Sequence, residues 1–289
     1  MTLRFKYWPL IVLMSLSVQV QAQQNAKTFL VSAVELSESD PSVIVLHVGT
    51  SSDEFTSQHI RGARFLDLNR IAPSSETTQR DLPAVDSLVA AFEQVGVSDQ
   101  SRVVLYDTGN GLSAARAFFT LDIIGFGNAA LLDGGFAAWA SGAFPIGTGP
   151  SQSVFQGSIT AQFNPDLVRT ASQVQEELSS HYLIDARSAG EYSGETPGNT
   201  ITRGGHIPGA ARLDSSSHLQ EDGLFKPLEA LVELYKDADG KPTIVYCRTG
   251  MKASQSYFVA RMLGLDVAMY DGSFFDWSNQ TEYDVEKGN

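Results

Sequence analysis

The 289-residue chain carries 20 Lys and Arg against 33 Asp and Glu, a formal net charge of −13. That excess of acid repels a phosphate backbone, and no Lys/Arg stripe is interleaved with aromatics, so a nucleic-acid partner is excluded. With 43% hydrophobic residues the chain can bury one large core or two ordinary ones, but its single cysteine, Cys247, cannot form an internal disulfide.

In chain order, Arg4 and Lys6 precede an apolar run from Trp8 to Val20 that ends in Val20-Gln21-Ala22. A charged start, a short apolar core and small residues before the break are the layout of a signal peptide cleaved after Ala22, whereas a spanning helix needs about 20 apolar residues. The expectation is an exported protein, periplasmic where the cell has two membranes, with no membrane span once residues 1–22 are removed.

The rest of the chain repeats itself at a separation of about 140 residues. The first half runs from Val43-Ile44-Val45-Leu46-His47-Val48 through His59-Ile60-Arg61-Gly62-Ala63 and Val103-Val104-Leu105-Tyr106-Asp107 to Leu132-Asp133-Gly134-Gly135-Phe136. The second half answers with Tyr182-Leu183-Ile184-Asp185-Ala186-Arg187, His206-Ile207-Pro208-Gly209-Ala210, Thr243-Ile244-Val245-Tyr246-Cys247 and Tyr270-Asp271-Gly272-Ser273-Phe274. The apolar, β-branched runs read as parallel strands covered on both faces. Helix-period stretches lie between them, at Asp86 to Phe92, Ser113 to Ile124 and Ala253 to Leu263, and the alternation predicts an α/β fold with one doubly wound sheet per half. Residues 23–145 form the first domain and 166–289 the second. Between them, residues 146–165 belong to a Gly/Ser/Pro/Gln-rich linker with a short extended piece at Val154 to Phe163.

Cys247 falls where an apolar strand ends, about six residues before a helical pattern begins, and ligands of open α/β sheets bind at that edge. The loop Arg248-Thr249-Gly250-Met251-Lys252 can turn its amides inward as an anion-binding nest, with the positive end of the next helix behind it and two cations, Arg248 and Lys252, beside it. These features favour a thiolate, the form that attacks sulfur or carbon electrophiles. A cysteine-type phosphatase needs an arginine six positions after its nucleophile, and Ala253 stands there. No metal is expected, since one Cys with scattered His47, His59, His181, His206 and His218 offers no close ligand pair. A histidine-assisted thiol enzyme stays open, because spacing alone cannot place a base.

These motifs, taken in order over nearly the whole mature chain, resemble the rhodanese superfamily, and within it the tandem-domain thiosulfate sulfurtransferases of bacterial type. The resemblance implies two tandem rhodanese-like domains, each a mainly parallel central sheet flanked by helices, with the active site on the second domain facing the first. It implies that Cys247 carries sulfur as a persulfide without any cofactor. The donor would be a small anion such as thiosulfate, and the acceptor cyanide, a small thiol or a thiol protein. Arg187, Arg248, Thr249, Gly250, Met251 and Lys252 would contact the donor, and Asp185 would brace the loop; a pairing of Arg187 with a carboxylate such as Glu191 is the other reading. Asp107 stands where Cys247 stands in the second half, so the first domain would wall the cleft without chemistry.

Three departures bear on the donor. Thr249 stands where animal-type thiosulfate enzymes have a lysine, Glu191 replaces a second substrate arginine, and Phe274 replaces a frequent tryptophan. Glu191 and the charged loop argue against mercaptopyruvate as donor. The alternatives are a 3-mercaptopyruvate sulfurtransferase and a non-catalytic carrier of sulfur or selenium.

Overall fold

The computed structural model describes residues 23–26, 28–75 and 79–288; the expected signal peptide lies outside them. The first domain holds β1 (Leu30–Val31), β2 (Ile44–Gly49), β3 (His59–Ile60), β4 (Arg64–Asp67), β5 (Val103–Tyr106), β6 (Ala129–Leu132) and β7 (Ile146–Gly147). The second holds β8 (Val168–Arg169), β9 (Tyr182–Asp185), β10 (Ala211–Arg212), β11 (Thr243–Tyr246) and β12 (Val267–Tyr270).

The two main sheets have one topology. The first runs β4-β2-β5-β6-β1 and the second β10-β9-β11-β12-β8, five strands each, every pairing parallel. The middle strands β5 and β11 are buried at every position. A strand with a helix on each face has no wet side, which is why these segments read as unbroken apolar runs.

Each middle strand feeds a long helix, Leu112–Ile123 after β5 and Met251–Leu263 after β11, and the two helices pack against each other across the domain boundary. Both are buried on nearly every side, so the second is lined with small residues such as Ala253, Ser254, Ser256 and Ala260 that let its neighbours approach. Phe118 meets Phe258 edge to face at 5.0 Å between ring centres, and Phe119 meets Tyr257 at 4.9 Å. A single apolar cluster thereby runs from the first sheet to the second. Asp122 closes one edge of this seam, accepting from the Tyr257 hydroxyl at 2.7 Å and from Arg261 Nε at 2.8 Å.

The duplication also shapes the seam's other edge. The Leu82 amide donates to Asp271 Oδ2 at 2.7 Å, and the Phe225 amide donates to Asp133 Oδ1 at 2.8 Å. Each domain's Asp-Gly turn thus caps a backbone amide of the other domain.

Ile146–Gly147 pairs antiparallel with His59–Ile60, while no strand forms over 154–163. That stretch is instead stitched to the first domain: the Gly157 amide bonds to the Glu93 carbonyl, Ile159 N to the Glu93 carboxylate, and Gln162 N to the Ile124 carbonyl, each at 2.8 Å. A Cβ at Gly157 would sit 1.8 Å from the Val97 carbonyl oxygen, so only glycine allows this approach.

Because one core crosses both domains, Phe258→Ala is expected to lower the stability of the whole chain by about 3–5 kcal/mol. Urea denaturation followed by far-UV circular dichroism should move as one transition; separate transitions for the two halves would contradict the shared core.

Candidate active site

Cys247 follows β11 at the carboxyl edge of the second sheet, between the ends of β9 and β12, and is 2% exposed. Its main chain is held from two sides. Its amide donates to Ser273 Oγ at 3.2 Å, the Ser273 hydroxyl donates to the Tyr270 carbonyl at 3.0 Å, and Phe274 N donates to the Cys247 carbonyl at 2.9 Å. Phe275 N holds the Arg248 carbonyl at 2.9 Å. Gly250 then turns the chain into the helix with a left-handed backbone, φ 84°. A Cβ there would also come within 2.9 Å of Arg116 Nη1, so glycine is required by conformation and by space.

Among the described residues, none of the amides from Arg248 to Ala253 donates to a protein oxygen or nitrogen. The first domain explains what such a loop is built to hold. There Asp107 Oδ1 accepts from the amides of Gly109 and Gly111, each at 3.0 Å, and Oδ2 accepts from Ser113 at 2.9 Å and Ala114 at 3.1 Å. Burial pushes the Asp107 carboxyl up and the four amides pull it partly back. The first loop is one residue longer between the strand and its left-handed glycine, Gly111, and folds around its own carboxylate. In the second domain the same junction presents a thiol and free amides.

Two cations flank the second loop, and a carboxylate lies between them. Lys252 Nζ bonds to Glu191 Oε2 at 2.9 Å, Arg248 Nη1 stands 4.0 Å from Glu191 Oε1, and Ser188 Oγ adds a bond at 3.0 Å. Burial alone would raise the Glu191 carboxyl, but Lys252 and Ser188 hold it below the usual carboxylate range. Arg248 is the freer cation, its side chain 46% exposed against 35% for Lys252. Thr249 and Met251 are half-buried and Gly250 buried, so the loop faces the solvent chiefly through Arg248. The first domain repeats the theme, with Glu54 taking the hydroxyl of Thr108.

Arg187 is sequestered from solvent. Its guanidinium is fully buried, bound to Asp185 through Nε and through Nη2 at 2.5 Å, to the Gly205 carbonyl at 2.8 Å, and lies 4.0 Å from the Phe274 ring centre. Asp185 precedes it by two residues on the same strand end, so the pair closes locally. Arg187 thereby pairs with a carboxylate, Asp185 in place of Glu191, while among the described residues its Nη1 is buried without a hydrogen-bond partner. Burial would lower the Arg187 guanidinium, but Asp185 overcomes that and raises it.

The second half also carries a segment with no counterpart in the first, residues 195–203. Arg203 anchors it by bonding the carbonyls of Trp277, Ser278, Gln280 and Tyr283, and its Gly198 approaches the Arg248 guanidinium so closely that a Cβ would lie 2.8 Å away. No group of three or more His, Cys, Asp or Glu among the described residues could hold a metal ion, and no helix among them is long and apolar enough to cross a membrane.

A family model described as a rhodanese-like domain matches residues 34–142 and again 170–280. The chain belongs to the rhodanese family. Curated relatives include the 3-mercaptopyruvate sulfurtransferase of Mus musculus, 32% identical over 246 residues that cover 81% of this chain and 82% of the relative. A putative thiosulfate sulfurtransferase of Haloferax volcanii is 31% identical over 270 residues, 88% of this chain and 92% of the other. The sulfur carrier protein TtuD of Thermus thermophilus is 30% identical over 267 residues, 86% and 92% of the two chains. Among solved structures, the anaerobic ergothioneine biosynthesis enzyme of Chlorobium limicola superposes with a TM-score of 0.81 at 26% identity, over 91% of this chain and 71% of that one.

Arg116, Ser273 and residues 195–203 lie outside the loop motif that marks the site in the sequence. Ser273 had a signal, since it replaces Gly135 in an otherwise repeated turn. Arg116 had none, because its partner lies in the other domain.

Asp107→Asn tests what the first loop holds. An amide NH2 facing backbone N–H donors leaves them unpaired, and the expected loss is about 1–3 kcal/mol of stability by urea denaturation; an unchanged midpoint would show that the loop does not depend on an anion.

Proposed function

We propose that the chain transfers sulfane sulfur from a small anionic donor, thiosulfate or one like it, through a persulfide on Cys247 to cyanide or a thiol acceptor. The observation that carries this reading is the contrast between the loops: the first is filled by the Asp107 carboxylate, while the second leaves its amides open around the chain's only thiol. The relatives' names, spanning thiosulfate and mercaptopyruvate sulfurtransferases and a sulfur carrier, support sulfur transfer as the class of activity.

The cycle is two displacements. The Cys247 thiolate attacks the outer sulfur of thiosulfate, the donor S–S bond breaks, and sulfite leaves with its electron pair. The persulfide's terminal sulfur carries the negative charge, where the amides from Arg248 to Ala253 lie ready to donate in a largely water-excluded site. Cyanide or a thiolate then attacks that sulfur, forms thiocyanate or a new persulfide, and returns the Cys247 thiolate. No proton need move at a side chain and no cofactor enters.

Donor choice follows from the cations. Lys252 is paired with Glu191, so Arg248 is the first positive charge an incoming anion meets, and Lys252 joins only when the donor outcompetes Glu191. Mercaptopyruvate, whose carboxylate would meet Glu191, fits this mouth less well than thiosulfate. Export directed by residues 1–22 would place the reaction outside the cytoplasm.

Mass spectrometry after thiosulfate treatment should find one added sulfur atom on Cys247, removed by cyanide with thiocyanate formed. A stable adduct that cyanide does not discharge would favour a carrier, and no adduct would overturn the reading. Faster turnover of mercaptopyruvate than of thiosulfate would overturn the donor assignment.

Glu191→Gln releases Lys252 and should raise kcat/KM for thiosulfate by up to about fivefold, the worth of a partly exposed ion pair. Lys252→Ala should lower it, and an unchanged second-order rate in that variant would remove Lys252 from donor binding.

A further inference from the structure

Across the seam each domain sends one side chain to the left-handed glycine that opens the other's long helix. From the second domain, Gln255 donates to the Asn110 carbonyl at 2.8 Å and lies 3.4 Å from where a Cβ on Gly111 would sit. From the first, Arg116 takes the equivalent place against Gly250. The loop filled by a carboxylate thus receives a neutral amide, and the loop that holds the thiol receives a buried arginine.

Arg116 is 0% exposed on the helix Leu112–Ile123. Its Nη1 lies 2.7 Å from Asp271 Oδ1, its Nη2 donates to the Arg80 carbonyl at 2.7 Å, and Asp271 Oδ2 accepts the Leu82 amide. Asp81, raised by burial and by Asp271 and Asp276, faces the same pair. An arginine sealed in an interface is expensive unless it is paired, and Asp271 is the carboxylate that pairs it.

Asp271 begins the turn that ends at Ser273. Ser273 has φ 55°, a left-handed conformation strained for any residue with a Cβ, and Gly135 holds the same place in the first domain with φ 54°. The first domain uses glycine there. The second domain bears the strain of a serine, and the hydroxyl gained is the acceptor for the Cys247 amide.

We propose that Arg116 of the first domain is a positioning residue for Cys247: by fixing Asp271 it fixes the turn that carries Ser273, and Ser273 sets the Cys247 main chain against its open amides. The proposal rests on Cys247 being the sulfur-carrying thiol, and it gives the inert domain a part in the chemistry. Arg116 touches no reacting atom, and its charge is balanced by Asp271, so it acts through geometry.

The test uses the full chain with Arg116→Met, Arg116→Lys, Ser273→Gly and the double variant Arg116→Met/Ser273→Gly. Thermal unfolding, the rate of Cys247 alkylation by iodoacetamide across pH, and thiosulfate-to-cyanide kinetics are read for each. Ser273→Gly should still fold, since Gly135 holds the same left-handed turn in the first domain. Both it and Arg116→Met should still move the alkylation profile to higher pH and lower kcat/KM roughly tenfold, the size of one lost hydrogen bond in an ionised site. Arg116→Lys should recover part of the loss, and the double variant should be no worse than the poorer single one, as members of one chain of contacts behave. Profiles and kcat/KM equal to the parent's in folded Ser273→Gly and Arg116→Lys would overturn the proposal, as would losses that multiply in the double variant. If the parent takes no sulfur from thiosulfate, the functional reading falls, while the alkylation profiles still decide the positioning.

Discussion

A backbone amide that has left a strand and not yet entered a helical ladder needs an acceptor, and several such amides meet wherever a parallel strand turns sharply into a helix. The chain contains this junction twice. In the first domain the loop folds around the carboxylate of Asp107, which satisfies four amides at once. In the second the chain supplies a thiol at the strand end and leaves the corresponding donors unspent. The proposed chemistry rests on that difference, since the charged sulfur of a Cys247 persulfide would be the acceptor the second loop lacks.

The rest of the architecture keeps that loop in one shape. Arg187 and Asp185 form a buried pair beneath it, Phe274 covers the guanidinium, and Ser273 fixes the cysteine amide. The first domain closes the other side through the packed long helices, the Asp122 bonds and the Arg116 to Asp271 contact. With Asp107 where the second domain has its thiol, the first domain is still a structural partner of the second. Among the described residues it contributes 24 of the 41 buried ones in the apolar cluster that both domains share, and Asp107 already accepts four amides of its own loop.

Much of this was legible in the sequence because burial on both faces writes itself as unbroken apolar strands, and because duplication let each half vouch for the other. The thiol's place at a strand end followed from Tyr246-Cys247 preceding a glycine and a helical period. The carboxylate partner of Arg187 was not legible, because a strand-end arginine looks the same whether it reaches Glu191 or folds back, and only the short reach to Asp185 decides. The Glu191 to Lys252 bond spans 61 residues and the Arg116 to Asp271 pair joins two domains, so neither leaves a local pattern. The anchoring of residues 154–163 to the first domain was not legible, because a chain stitched by single amides leaves no periodic pattern.

The most direct measurement is a crystal structure of the chain loaded with sulfur and frozen before discharge. The account places the terminal sulfur of the Cys247 persulfide among the amides of residues 248 to 253, occupying in the second domain the place that the Asp107 carboxylate fills in the first. A terminal sulfur turned away from those amides, toward the sheet or into open solvent, would contradict it.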